Sequence, residues 1–264
     1  MAKNVVIIGG GASGLMAAVQ ASRLGAAVTV LEKNEKPGKK LLATGNGRCN
    51  FTNRYQDASC YRTGNPKRVA HILSQFTEQD TEHFFEQLGI RIRSREGWLY
   101  PASEQAQSVL DLLLLEARFR KVKIKTRETV LAIETTENGY LVRTEGWQYP
   151  ADSVIICCGS SASQIAGSDE DALSFARQLR LAFVPFSPAL CPLRCKGKQF
   201  SAWAGVRVRA KVTLLMEENA VLSEQGEVQL TDYGVSGIPV FQLSRFAVRA
   251  VTEKKKAELL IDFF

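Results

Sequence analysis

Three glycines near the start of the chain, Gly9, Gly11 and Gly14, have the spacing at which backbone can be brought against a pyrophosphate. Each has its own physical job: Gly9 permits a tight turn, Gly11 leaves backbone uncovered for phosphate oxygens, and Gly14 lets the following helix pack closely. That helix presents unpaired N–H groups in its first turn, at Ala12 and Ser13, and its dipole favours an anion there. The spacing alone is common, but its context is specific. An apolar run, Asn4 to Ile8, precedes it and a helical pattern follows. Glu32 then closes the next strand at about the distance where a carboxylate accepts hydrogen bonds from an adenosine ribose. A carboxylate there repels a 2′-phosphate, which disfavours NADP at this site. Its neighbour Lys33 belongs to the same cofactor-binding set.

The thiols and imidazoles carry less. Six cysteines are too few for a disulfide scaffold of this size, and none form a C-x-x-C pair, so no metal site is predicted and a reducing cytoplasm fits. Cys49 lacks a second cysteine a few residues away and Cys60 lies too far along the chain, which favours a packing or cofactor-adjacent role over redox chemistry. Cys157, Cys158, Cys191 and Cys195 read as structural. His71 and His83 fall on predicted helices with no nucleophile nearby, so neither is assigned as a general base.

The elements that must position these residues follow from periodicity. Asn4 to Ile8, the helix Gly11 to Leu24 and the strand Ala27 to Leu31 form a βαβ unit, with Gly25 ending the helix. Lys33 to about Asn65 reads as a long irregular loop, and a loop that long usually binds something. Helices are predicted over Pro66 to Phe76, Asp80 to Leu88 and Ser103 to Arg120, the last with Ser103 as N-cap. Lys123 to Ala151 alternates as an antiparallel meander turning at Glu137-Asn138-Gly139, Ser153 to Cys158 returns to a buried strand, and Asp169 to Leu179 is helical. Pro185, Pro188 and Pro192 mark a crossing between domains at 1–187 and 188–264. The second is β-rich, with strands over Val206 to Met216, Glu227 to Thr231 and Ala257 to Phe264 and a helix from Ser236 to about Val251. The fold class is α/β.

Charge and composition exclude little. Hydrophobic residues at 45% and charged residues at 23% are globular values, which excludes disorder. The net charge of +7 permits anionic partners, but the basic residues are scattered and no RNA- or DNA-binding motif accompanies them, so nucleic acid is disfavoured. No apolar run reaches the roughly 20 residues of a membrane span.

Two resemblances sharpen this reading. Ala151 to Gly159 is similar to the second nucleotide-contacting segment of flavoproteins of the glutathione-reductase type, and the meander matches their insertion. This implies a Rossmann-like FAD-binding domain in which Val130 meets the adenine through its backbone and Cys158 and Gly159 join the site. The stretch Pro37 to Asn53, which contains Ala43-Thr44-Gly45-Asn46-Gly47-Arg48-Cys49-Asn50, and the blocks Gly226 to Thr231 and Tyr233 to Gly237 with Pro239, resemble the BaiN-type NAD(P)/FAD-dependent oxidoreductases. These include aminoacetone-oxidase-like and dehydro-bile-acid-reductase-like proteins. The resemblance implies FAD phosphates over Gly11 to Gly14 and a flavin end wrapped by Lys39 to Asn50. Gly38, Gly45 and Gly47 would then let backbone approach the ring. Lys40, Arg48 and Asn50 would stabilise charge near it, with Arg48 and Asn50 as the flavin-adjacent catalytic candidates and Asn46 and Cys49 lining the same end.

It further implies hydride transfer through flavin to or from a small organic substrate; no second glycine fingerprint is present, so a NAD(P)H donor would dock transiently or be replaced by another reductant. The alternatives are a flavin-dependent nucleic-acid-modifying protein and a non-catalytic FAD-binding regulator. Two departures stand out: Cys157-Cys158-Gly159-Ser160 replaces the usual A-x-G-G, and Asp232 stands where the family has His, so that histidine's role does not carry over. Family members also continue into a glycine-rich stretch that closes over the flavin, so this chain is expected to be incomplete at its C-terminus.

Overall fold

The computed structural model describes residues 2–162, 165, 167–197 and 199–263. Their contacts divide into two compact units, one up to Phe183 and one from Val184.

The first unit runs β1 (Asn4–Ile8), α1 (Ala12–Arg23), β2 (Ala27–Glu32), α2 (Lys39–Ala43), β3 (Thr52–Asn53), α3 (Pro66–Gln75), α4 (Glu78–Gln87), β4 (Ile92–Arg95), β5 (Trp98–Pro101), α5 (Ala106–Phe119), β6 (Lys123–Thr126), β7 (Val130–Thr136), β8 (Gly139–Thr144), β9 (Gln148–Ala151), β10 (Ser153–Ile156) and α6 (Asp171–Gln178). Four strands form a parallel sheet in the order β10-β1-β2-β6. The centre of that sheet is apolar on both faces because both are covered, as parallel sheets require. Val5 and Ile7 of β1 pack with Ala18 of α1, while Val6 and Ile8 pack with Val130, Ile133 and Val142 of the meander β7-β8-β9. A third core joins α1 to α5 and α4 through Leu15, Val19, Leu110, Leu113 and Phe84.

The closest approach in this unit is at Gly14. A Cβ there would sit 1.9 Å from the Gly9 carbonyl oxygen, so only glycine lets α1 lie against the turn that launches it.

The second unit runs β11 (Leu193–Arg194), α7 (Phe200–Trp203), β12 (Arg207–Met216), β13 (Asn219–Thr231), β14 (Gly234–Gly237), α8 (Ile238–Thr252) and β15 (Ala257–Asp262). Its antiparallel sheet has the order β11-β14-β13-β12-β15. The helix α8 buries Val240, Leu243 and Ala247 on the face made by Val212, Leu214, Val228 and Leu230.

Several sequence expectations are corrected. The Lys33 to Asn65 stretch is partly regular: α2 forms there because Leu41 is drawn into the core with Leu110, and β3 pairs with β5. Lys123 to Thr126 is not meander but the edge strand β6, pairing in parallel with β2 from Thr29↔Lys123 to Glu32↔Thr126. Ser103 does not cap α5. The helix starts later, at Ala106 after Gln105, and the Ser103 hydroxyl instead accepts from the Gln105 N–H at 3.3 Å. The β4-β5 hairpin, over Ile92 to Pro101, is an element the sequence pattern does not predict. The strand over Glu227 to Thr231 begins earlier, at Asn219. The helix predicted from Ser236 begins at Ile238, because Ser236 and Gly237 complete β14. Phe264 lies outside the described residues.

Gly14→Ala is expected to destabilise the chain by about 1–3 kcal/mol, the cost of overpacking a close contact. Gly64→Ala, where nothing stands within 4 Å of the new Cβ, is expected to change stability by less than about 0.5 kcal/mol. Thermal unfolding of both variants checks this, and equal midpoints would contradict it.

Candidate functional site

The C-terminal ends of β1, β2 and β10 open into a cleft of about 630 Å³, within the size range of small-molecule sites. The first β-α turn forms its floor. Gly9 donates to the Leu31 carbonyl at 2.8 Å, Cys157 donates to that of Ile8 at 2.7 Å, and Gly38 donates to that of Gly10 at 2.9 Å. These bonds fasten the turn to both neighbouring strands and to the start of α2. Gly9, Gly11, Ala12 and Ser13 line the cleft, and Gly14 is packed beneath them. Gly11 is the N-cap of α1 and supplies no side-chain cap, so the N-terminal amides of the helix are left for a ligand.

Glu32 is buried at 7% exposure, and both of its carboxylate oxygens accept hydrogen bonds. One oxygen accepts from the Gly10 N–H at 2.8 Å, and the other from the Asn34 N–H and the Asn34 side-chain amide, both at 2.8 Å. A charge so placed requires these donors. It still lines the cleft and retains acceptor capacity, since a carboxylate offers about four lone-pair sites. Asn34, two residues on, was not singled out in the sequence.

The expected lysines line the cleft but are anchored. Lys33 bridges Asp169 and Asp171, the latter at 2.8 Å, tying the end of β2 to the start of α6. Lys40 donates to the carbonyls of Ser160 at 3.1 Å and Ala162 at 2.9 Å, bracing the turn after β10 where Gly159 lies. Val130, Cys158 and Gly159 join the same lining, as does Glu128, which no sequence motif marks.

The loop after α2 divides. Gly45, Asn46 and Gly47 take left-handed conformations, at φ 56°, 55° and 80°, and form a tight exposed turn in which Arg48 donates to the Gly45 carbonyl. These three and the half-buried Arg48 stand off the lining, whereas Thr44, Cys49 and Asn50 are on it. The Asn50 amide donates to the carbonyls of Thr52 and Leu99, at 3.3 and 3.2 Å, which holds the loop against β5. Beyond it the cleft becomes apolar, walled by Phe51, Phe84, Phe85, Val109 and Leu113.

Three thiols face this space. Burial pushes the Cys49 and Cys157 thiols up, and burial followed by the charge of Asp171 pushes Cys158 up to about 12. All three stay protonated near neutrality. Among the described residues no group of three or more His, Cys, Asp and Glu is placed to hold a metal ion. No helix among them is long and apolar enough to cross a membrane.

A parallel sheet whose first turn is a glycine fingerprint, with an uncapped helix over a cleft and a buried acid closing the second strand, defines a dinucleotide-binding domain of the Rossmann type. The chain belongs to the HI0933-like protein Rossmann domain family, whose model matches residues 3–240. It is 46% identical over 262 residues to the 3-dehydro-bile acid delta(4,6)-reductase of Clostridium scindens, covering 98% of this chain and 64% of that protein. It is 28% identical over 247 residues to the ribosomal RNA dihydrouridine synthase of Escherichia coli, covering 92% and 60%. Among solved structures it is similar to a 3-ketosteroid-delta4-(5alpha)-dehydrogenase from Rhodococcus jostii, at 15% identity and a TM-score of 0.44 over 61% of this chain and 47% of that one. The chain spans less than two thirds of the length of these curated relatives. The dehydro-bile-acid-reductase resemblance read from the motif blocks holds over nearly all of it.

With the thiol of Cys158 near 12, about one molecule in ten thousand carries its thiolate at pH 8, and the reactive fraction rises about tenfold per pH unit toward that value. Disulfide-exchange labelling is therefore expected to modify exposed Cys60 quickly and Cys158 far more slowly, with the fast phase lost in Cys60→Ser. Mass mapping that finds Cys158 labelled first would contradict this.

Proposed function

We propose that this chain is the dinucleotide-binding part of an FAD-dependent oxidoreductase that reduces an electron-poor carbon–carbon double bond in a small organic molecule. The observation that carries the reading is the convergence, in one cleft, of an uncapped helix N-terminus and a buried carboxylate at a strand end. These are the two groups that a pyrophosphate and an adenosine ribose require. The fit extends to Gly11, where nothing stands within 4 Å of a Cβ position, so its backbone is open to phosphate oxygens.

FAD bound here would supply two-electron hydride chemistry to the acceptor carbon, with a proton completing the adjacent carbon. The chain's residues bind and orient it. The amides of Ala12 and Ser13 would hold the phosphates, Glu32 the ribose and the backbone at Val130 the adenine, and the apolar wall around Phe84 and Leu113 would exclude water from the far end. Lys33 and Lys40 would fix the rim, and Asn50, which is on the lining where Arg48 is not, is the flavin-adjacent group to be tested. NADH or NADPH is the proposed donor, docking transiently. The bile-acid reductase at 46% identity supports a small-molecule acceptor. A second reading, reduction of uridine in RNA, draws on the dihydrouridine synthase relative at 28% and the net charge of +7.

The test is FAD titration followed by anaerobic reduction. FAD is expected to bind, and Glu32→Ala to weaken it by ~1.5–3 kcal/mol, roughly ten- to a hundredfold, by removing a charge-assisted acceptor. NADH or NADPH is expected to bleach the flavin and a small enone to restore its colour. Reoxidation by uridine-containing RNA alone would select the second reading. Failure to bleach would leave a non-catalytic FAD-binding protein, and failure to bind FAD would overturn the account of the cleft.

A further inference from the structure

The cleft does not end at its apolar wall. Phe76, which follows α3, and Thr81 of α4 line it and also line a second recess of about 460 Å³, enclosed by residues 52–61 and the helices α3 and α4. The two spaces therefore adjoin on the side that Phe84 and Phe85 of α4 wall. The hydrogen bonds of the recess are directional. Tyr61 donates to the Gln56 side-chain carbonyl at 2.7 Å, and the Gln56 amide donates to the Thr52 hydroxyl at 3.3 Å, so the phenol orients the amide and the amide fills an acceptor site on Thr52. Ser74, Thr77 and Thr81 direct their own hydroxyl protons to the His71 carbonyl, the Asp80 carboxylate and the Thr77 carbonyl, at 2.8, 2.7 and 3.0 Å.

Among the described residues, Thr52 is then the hydroxyl of this lining whose O–H has no acceptor, and Gln56 keeps a second N–H beside it. The charge of the lining is all negative. Asp57 and Glu78 belong to it, and no lysine, arginine or histidine does among the described residues. Hydrogen bonds from the Ser59 hydroxyl and N–H hold the Asp57 carboxyl below its ordinary pKa, which keeps it ionised. We infer that this recess is the acceptor site, and that it takes an uncharged or cationic carbonyl compound, whose oxygen accepts from Thr52 and whose hydroxyl or ammonium groups meet Asp57 and Glu78, in preference to a carboxylate. This rests on the reading of the chain as a double-bond reductase and adds to it the place of the acceptor and the charge it carries. A carboxylate brings no donor to the two acids and is repelled by both, whereas a carbonyl oxygen meets a donor already aligned by its neighbours.

The experiment is binding of three matched cyclic enones, one uncharged, one bearing an ammonium group and one a carboxylate, to the full chain with and without FAD at low ionic strength, followed by amide NMR shifts. The uncharged and ammonium enones are expected to bind the wild type at least about fivefold more tightly than the carboxylate, and to shift the Gln56 side-chain amide and the backbone amides of residues 52–61. Thr52→Val is expected to weaken the uncharged enone about fivefold, the worth of one hydrogen bond. Asp57→Asn combined with Glu78→Gln is expected to bring the carboxylate to within about twofold of the uncharged enone, with FAD titration unchanged in both variants. Equal binding of the three enones by the wild type, or shifts confined to residues outside the recess, would overturn the inference. So would a folded Thr52→Val that binds the uncharged enone as the wild type does. In each of these cases flavin that NADH or NADPH bleaches and an enone recolours would leave the proposed function standing. Failure of FAD to bind, with the enones still shifting residues 52–61 in the expected order of charge, would overturn the proposed function alone and leave the recess a small-molecule site with this preference.

Discussion

A carboxylate taken out of water at the end of a parallel strand must be given donors, and the donors it recruits decide what stands around it. Glu32 recruits the Gly10 N–H from the first β-α turn and both the backbone and side-chain N–H groups of Asn34 from the turn after β2. Asn34 passes the connection on: its side-chain oxygen accepts from Lys39 at the head of α2 at 3.0 Å, and its backbone carbonyl accepts from Arg127 at 3.0 Å. Through Arg127 and Glu128, the entry to the meander is pinned to β2. The first β-α turn, the loop after β2 and the entry to the meander are thus all referenced to one buried carboxylate.

Much of the cleft's remaining charge is internally balanced, and this shapes what it can bind. Lys33 is spent on two aspartates and Lys40 on two carbonyls. The cleft thiols are held protonated by burial. What faces a ligand is the dipole of α1, two carboxylates at the strand ends and an apolar far wall. That arrangement is polarised, with the fingerprint turn and Glu32 on one side and the apolar wall of Phe51, Phe84, Phe85, Val109 and Leu113 on the other. It suits a long ligand with an anionic middle and a flat, weakly polar end.

The parts of this legible in the sequence were those set by local backbone demands. The fingerprint glycines announce themselves because Gly14 must abut Gly9, and the run Val5 to Ile8 is unbroken because both faces of β1 are covered. Glu32 was legible from its spacing. Other features depended on partners distant in the chain. Lys33 and Lys40 looked like free cations because Asp169, Asp171 and the turn after β10 lie more than a hundred residues away. β6 read as meander because its alternation is the same whether it pairs in parallel with β2 or antiparallel with β7. Ser103 has the chemistry of a cap, but α5 starts later, where Ala106 and Val109 begin to face the core. Glu128 and Asn34 carry no motif at all; only the fold brings them to the cleft. Arg48 sits in a motif yet stands off the lining, because the left-handed turn at Gly45 to Gly47 carries it round the outside.

Amide hydrogen exchange of the chain with and without FAD tests most directly whether one cleft organised by Glu32 holds the dinucleotide. Slowed exchange is expected in residues 9–14, 32–34 and 128–130 together, with residues from Val184 onward changing little in those same experiments. Binding that protects other segments and leaves residues 9–14 and 32–34 exchanging as before would contradict it.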